Sequence, residues 1–345
     1  MLSVIIPTKD RADSLERLFQ ALCHQTLGIT YFEIIIIDNG SSDNTKEVIT
    51  KWENQFENLR CFFEKSPGLH TCRHKGFKEA KSNILVYADD DIEPFETWLE
   101  SIQMAFEDPE IVLVGGKCLP KFEATPPQWL KQLWEPDERG ERILSYLSLI
   151  DLGDVVKNIS PYHVFGCNFS IRKEILIKTQ GFHPDSFPQQ LIRYRGDGET
   201  YVSRYIEKHS LKALYHPKAS VYHFLPDKRL TKEYFCQRAF NQGISDSFTK
   251  FRQVYLKEDP AHSNPDITAK AIPLLDVIVR FCIKKGQALM RKIKAKKLTM
   301  TQLIDIDVES SYWAGYKFHQ NEVMKDPELL SWVLKQNYLE ESIPE

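Results

Sequence analysis

The chain has 345 residues, is 42% hydrophobic and carries a formal net charge of -3. That is enough length for a full core, and the slight acidity gives no overall reason to expect a nucleic-acid partner, whose phosphates favour a basic face. Seven scattered cysteines with no Cys-x-x-Cys pair argue against a disulfide framework or a zinc knuckle and fit a reducing cytosol.

The first residues, Met1 to Pro7, lack the basic and long apolar regions of a secretory signal and read as a first strand. No window reaches the roughly 18 uncharged apolar residues needed to span a bilayer, so a cytoplasmic protein, soluble or peripheral on the inner face of a membrane, is expected. Short apolar runs recur at 3–7, 33–38, 60–64, 84–88 and 111–115, with helix-period segments between the first four. This alternation predicts βα units around a mostly parallel sheet. Between the first two runs, Leu15, Leu18, Phe19 and Leu22 form one apolar helix stripe. The run Ile34 to Ile37 is apolar on both faces, as in a central strand covered by helices. Asp43 is placed to N-cap a helix over about 44–56.

In an open parallel sheet, ligands bind outside the carboxyl ends of the strands. Three polar clusters fall at such ends: Thr8-Lys9-Asp10-Arg11, Asp38-Asn39-Gly40-Ser41-Ser42-Asp43, and Asp89-Asp90-Asp91. Any one of them reads as an ordinary turn. Their coincidence at consecutive ligand-facing positions points to a site. Strand alternation turns Asp89 and Asp91 the same way, so that both can address one cation. Neither a Gly-x-Gly-x-x-Gly nor a P-loop pattern occurs, which removes the usual dinucleotide and P-loop readings.

Beyond about residue 120 the pattern loosens around Pro126, Pro127, Trp129 and Trp134 into what reads as an irregular, substrate-covering half. From about Leu230 the sequence is helix-like to the end, with Pro260, Asn264 and Pro265 marking a boundary. The segment 277–303 carries eight Lys or Arg and no acidic residue, interleaved with apolar positions. It suits a helix packed with its basic face in water, or one lying on an anionic membrane surface as a peripheral contact. The aromatic stretch 312–318 reads as a packing face or an oligomer contact.

In order along the chain, Ser3 to Thr8 with Arg11, Ile36 to Asp43, Gly68 with Arg73, Asp89 to Asp91 with Pro94 and Trp98-Leu99 come first. Gly166-Cys167-Asn168 leading to Gly181-Phe182, Gly196-Asp197-Gly198-Glu199, and His216 to Ala219 with His223 follow. This series resembles the family-2 glycosyltransferases over roughly residues 2–245. The resemblance implies an α/β GT-A fold, a Rossmann-like, mostly parallel sheet flanked by helices, with the catalytic domain over 1–245. Its nucleotide-binding half would span about 1–118 and its acceptor-binding half 119–245, followed by a helical C-terminal extension over 246–345.

The activity implied is an inverting, hexosyltransferase-type transfer from a nucleotide-diphosphate sugar, a UDP-sugar by preference, to a glycan or lipid-linked hydroxyl acceptor, as in polysaccharide biosynthesis. By the same resemblance Pro7, Thr8, Arg11, Asp38, Arg73, Asp89, Asp90 and Arg238 bind the donor, with Arg73 near the nucleobase. His74 follows Arg73 where the family usually has Asn. Asp89 and Asp91 match the Asp-x-Asp motif, and with His223 would hold Mg²⁺ or Mn²⁺. Such an ion stabilises the charge left on a departing diphosphate as a Lewis acid. The base that accepts the acceptor proton is Glu199 or Asp197, with Glu199 favoured by its position before Tyr201-Val202, and the other carboxylate would cap the helix starting near Thr200. Two other classes remain open. A nucleotidyltransferase would need a Gly-rich phosphate loop, whereas residues 8–11 contain no glycine. A non-catalytic nucleotide-binding module would show damaged carboxylates, and these are intact.

Overall fold

The computed structural model describes residues 1–257 and 300–339. Pro260, Asn264, Pro265 and the basic stretch as far as residue 299 lie outside the described residues.

The apolar runs become β1 (Leu2–Thr8), β2 (Phe32–Asp38), β3 (Leu59–Phe63), β4 (Ile84–Ala88) and, after the acidic triplet, the short β5 (Ile92–Pro94). The helices between them are α1 (Ala12–Leu22), α2 (Thr45–Glu53) and α3 (Leu69–Glu79). Then come α4 (Trp98–Ala105), β6 (Ile111–Gly115), β7 (Cys118–Phe122), α5 (Gln128–Leu133), β8 (Arg142–Leu144), β9 (Leu149–Asp151) and β10 (Lys157–Ile159). Next are β11 (Asn168–Arg172), α6 (Lys173–Lys178), α7 (Glu199–Lys208), β12 (Lys212–Tyr215), β13 (Val221–Leu225) and α8 (Lys232–Tyr255). The described C-terminal residues form α9 (Met300–Lys325) and α10 (Pro327–Val333).

The main sheet has eight strands in the order β10-β12-β6-β11-β4-β1-β2-β3. β1 to β4 pair in parallel, and β11 lies antiparallel between β4 and β6. Six strands point one way, with β11 and β10 reversed. Both faces are covered, which explains the unbroken isoleucine run of β2. Ile34 and Ile36 pack in a cluster with Leu15, Leu18 and Phe19 of α1, Ile49 and Trp52 of α2 and Trp98 of α4. Ile35 and Ile37 pack on the other side with Cys72 of α3, Ile175 of α6 and Val202 and Ile206 of α7. The expected stripe of α1 is fully in the core.

α2 is shorter than the expected 44–56. Asp43 does accept a hydrogen bond from the Thr45 amide at 3.0 Å, just ahead of it.

The second half differs from the expected irregular cover. A five-stranded sheet, ordered β5-β13-β7-β9-β8, stands beside the main one. Its strands are three to five residues long, too short for periodicity to reveal. β13 pairs antiparallel with β5, with His223 opposite Ile92, and the Phe224 amide donates to the Asp91 carbonyl at 2.9 Å. This pairing carries a residue 132 positions downstream to the acidic triplet, counted from Asp91 to His223.

α8 runs unbroken through residue 245, the expected domain boundary, because Thr231 caps its start and its buried face continues to Arg252. α9 crosses it closely: a Cβ at Gly243 would stand 2.0 Å from the Tyr312 carbonyl, and one at Gly315 2.0 Å from that of Phe240. The aromatic stretch 312–318 therefore serves as a packing face. Tyr312 donates to Asp246 at 2.7 Å and Phe318 lies 5.7 Å from Phe240, while Trp313 remains 42% exposed. No described helix is long and apolar enough to cross a membrane.

Candidate active site

The three polar clusters meet along the carboxyl edge of β1, β2 and β4. In register, Thr8 pairs with Asp38, and the Asn39 amide donates back to the Thr8 carbonyl at 2.9 Å. Pro7 precedes Thr8 in β1, opposite Ile37. The Asp38 carboxylate accepts from the amide and hydroxyl of Ser41, which shapes the loop after β2. Asp10 sits at φ +52, a left-handed conformation costly for a non-glycine residue, and accepts from the amide and hydroxyl of Ser42. Arg11, at the start of α1, lines a cavity of about 470 Å³ together with Arg17, Asp91, Phe224 and Pro226.

The three aspartates have three environments. Asp90 is buried and accepts from the Thr8 hydroxyl at 2.7 Å. Burial, reinforced by the charge of Asp91, pushes its pKa up to about 7 against that hydrogen bond. Asp89 keeps 36% of its side chain exposed, faces Arg73 at 3.9 Å, and is raised by burial and by Asp91. Asp91 is 4% exposed and lies between cations. Arg229 donates to its Oδ2 at 2.9 Å, and His223 Nε2 stands 3.3 Å from its Oδ1. Burial opposes ionisation of Asp91, but the adjacent His223 ring and the charge of Arg229 hold it well below the usual carboxylate range. Its Oδ1 is buried and makes no hydrogen bond.

His223 donates from Nδ1 to the Leu147 carbonyl at 3.1 Å, leaving Nε2 facing Asp91 and Arg229. Burial pulls its pKa down and Asp91 pulls it up, with a net upward shift.

Arg73, expected near the nucleobase, lies between the triplet and Glu199. It is 3% exposed and donates to the Gly166 carbonyl at 3.2 Å and to Glu199 Oε2 at 3.3 Å, with Asp89 on its other side. One guanidinium thus stands between the triplet and Glu199, because α3 packs its buried face between β1 and the loop ahead of β11.

The two candidate bases separate clearly. Glu199 opens α7 after Gly198, whose φ of +52 and ψ of -129 suit glycine, and 28% of its side chain is exposed. Asp197 is 3% exposed at the side chain, and its oxygens accept from His183 at 2.5 Å, Arg204 at 2.5 Å and Thr249 at 2.7 Å. Burial opposes its ionisation, and the His183 and Arg204 contacts outweigh burial and hold it far below the usual range. The amide of Thr200 accordingly reaches the Asp197 backbone carbonyl, not a capping carboxylate.

Arg238, expected at the diphosphate, sits on α8 and makes no hydrogen bond or ion pair among the described residues, its Nε being buried without a partner. Arg229, nine positions earlier, occupies the place next to Asp91. Sequence reasoning missed it. Its signal was position, just past the carboxyl end of β13, the same edge rule that identified the clusters of the main sheet.

A sequence model described as glycosyl transferase family 2 matches residues 3–179, about half of the chain. The glycosyltransferase AglE of Haloferax volcanii is 31% identical over 116 residues, 33% of this chain and 38% of that protein. A chondroitin synthase of Escherichia coli is 32% identical over 119 residues, 34% of this chain and 17% of that protein. The chain thus aligns with well under half of the length of either relative. A mannosyltransferase of Pyrobaculum calidifontis, solved in complex with GDP-Man and Mn²⁺, superposes with a TM-score of 0.57 at 16% identity. That superposition covers 99% of this chain and 88% of the other, a likeness of fold. With the family match resting on β1 to α6 and the likeness of fold beside it, the chain belongs to glycosyl transferase family 2 and has the GT-A architecture.

Proposed function

We propose that the protein is an inverting glycosyltransferase that moves a sugar from a nucleotide-diphosphate sugar to an acceptor hydroxyl, with Glu199 as the general base. The observation that carries this reading is Arg73, whose guanidinium lies 3.3 Å from Glu199 and 3.9 Å from Asp89. It sets the proton-accepting carboxylate on one side and the triplet that addresses the diphosphate on the other, as a single in-line displacement requires. The acceptor oxygen attacks C1 while its proton passes to Glu199. The bond from C1 to the diphosphate oxygen breaks, its electron pair leaves on the diphosphate, and the configuration inverts. Asp197 is unsuited to this role, since its oxygens are committed to His183, Arg204 and Thr249 away from solvent. Pro7, Thr8, Arg11 and Asp38 are assigned to the nucleotide, beside the cavity under Arg11.

The donor set fits a divalent ion. Asp91 Oδ1 is a buried carboxylate oxygen spent on no protein donor, and the His223 ring is oriented by a backbone carbonyl in the manner of metal-binding histidines. Among the described residues no three His, Cys, Asp or Glu side chains converge as a cage. That suits Mg²⁺ or Mn²⁺, which take one or two carboxylates and complete their shell with phosphates and water. Asp91 and Asp89 would hold the ion, beside His223, whose Nε2 faces Asp91 at 3.3 Å. Bound there, it would act as a Lewis acid on the leaving diphosphate. Arg229 and Arg73 add fixed positive charge toward the same developing anion.

The acceptor is proposed as a glycan or lipid-linked hydroxyl. To test the reading, purified protein is incubated with UDP-, GDP- and dTDP-sugars and Mn²⁺, and release of nucleoside diphosphate is followed. Glu199→Gln is expected to bind donor normally and lose transfer, whereas Asp91→Ala is expected to lose Mn²⁺-stimulated donor binding. Release of pyrophosphate would point to nucleotidyl transfer instead, and a fully active Glu199→Gln would remove the base assignment.

A further inference from the structure

We infer that the C-terminal helices set the working position of the catalytic carboxylate, and that Thr249 on α8 is a positioning residue for it. The inference rests on Glu199 being the base. Glu199 itself is loosely held, its one side-chain hydrogen bond among the described residues being the 3.3 Å contact with Arg73. Its placement therefore depends on the loop ahead of α7, residues 194–198, which ends in the left-handed Gly198.

That loop is held on one side by residues 183–185, through the Gly196 amide on the Pro184 carbonyl at 2.9 Å, Arg195 on Asp185 at 2.5 Å and His183 on Asp197, and on the other by the C-terminal helices. Trp332 of α10 donates from Nε1 to the Tyr194 carbonyl at 2.9 Å. Ser245 of α8 donates to the Gly196 carbonyl at 2.7 Å, and the Phe248 ring packs so near Gly196 that a Cβ there would come within 3.0 Å of it. Thr249 donates to Asp197 Oδ2 at 2.7 Å and accepts from Arg204 at 3.1 Å, linking the loop, α7 and α8 through one hydroxyl. Ser245, Phe248 and Thr249 stand at i, i+3 and i+4, so one stripe of α8 holds the loop. α8 is in turn braced by α9 through the Gly243 and Gly315 crossing. Displacing a catalytic group by a fraction of an ångström costs rate without costing substrate affinity.

Thr249→Val is close to isosteric and leaves Asp197 with His183 and Arg204, so the fold is expected to persist. The expected result is a fall in kcat of about tenfold with the donor dissociation constant unchanged, restored by Thr249→Ser. Glu199→Gln is measured alongside. An inactive Glu199→Gln together with a Thr249→Val enzyme within twofold of wild-type kcat, or one that loses donor affinity in step with rate, or one that Thr249→Ser does not rescue, overturns the inference while leaving the base assignment standing. A fully active Glu199→Gln removes the base assignment and this inference with it.

Discussion

Replacing Asp197 by Asn distinguishes a structural carboxylate from a catalytic one. In the native protein the Asp197 oxygens receive hydrogen bonds from His183, Arg204 and Thr249, with the side chain 3% exposed. An amide keeps one acceptor oxygen and turns an NH₂ group toward a donor, either the Arg204 guanidinium and the Thr249 hydroxyl or the His183 ring. Removing one partner of a buried ion pair costs about 3–5 kcal/mol, because the remaining charge stays desolvated and unpaired. Against a total stability of about 5–15 kcal/mol this is a large fraction. With a urea m-value of about 3 kcal/mol/M, the unfolding midpoint should fall by about 1–2 M. Urea titration followed by tryptophan fluorescence measures this directly, alongside donor turnover at a denaturant-free temperature where the variant is folded. A variant as stable as wild type but devoid of transfer would refute the reasoning and make Asp197 the base.

Four buried histidines, His70, His74, His183 and His319, have burial as the leading cause of a lowered pKa, with His70, His183 and His319 pulled down to about 4. A histidine that is neutral when folded and free to protonate near 6.5 when unfolded adds no pH dependence above that value. It removes stability as pH falls from about 6.5 toward 4, so thermal unfolding scans should show the melting temperature dropping through that window, less steeply in His319→Gln, while a flat profile would contradict the burial argument. Gly243→Ala would press a methyl group against the Tyr312 carbonyl, where a Cβ stands 2.0 Å away. Separation of α8 from α9 should lower the melting temperature and, through the Ser245 and Thr249 contacts, transfer activity; unchanged stability would show that the helix crossing adjusts freely.

Much of the nucleotide-binding half was legible because its signals are local. The isoleucine run of β2, the stripe of α1 and the polar residues at the ends of β1, β2 and β4 follow from strand alternation, helix periodicity and the carboxyl-edge rule, each operating within a few residues. The triplet Asp89 to Asp91 could be marked as a site on that basis alone. The same reasoning could not rank Asp197 against Glu199, since the two carboxylates stand two residues apart and differ only in what surrounds them.

What the amino-acid order determined by itself is the βα core, the edge at which a ligand can bind and the acidic residues that crowd there, since each depends on neighbours in the chain. The tertiary structure alone decided that β11 enters antiparallel between β4 and β6, that the pairing of β13 with β5 brings His223 and Arg229 onto Asp91, and that α8 secures Asp197 while Glu199 stays open. These depend on contacts between residues more than forty and up to 138 positions apart, where burial and charge pairing act through space and leave no periodic trace in the sequence.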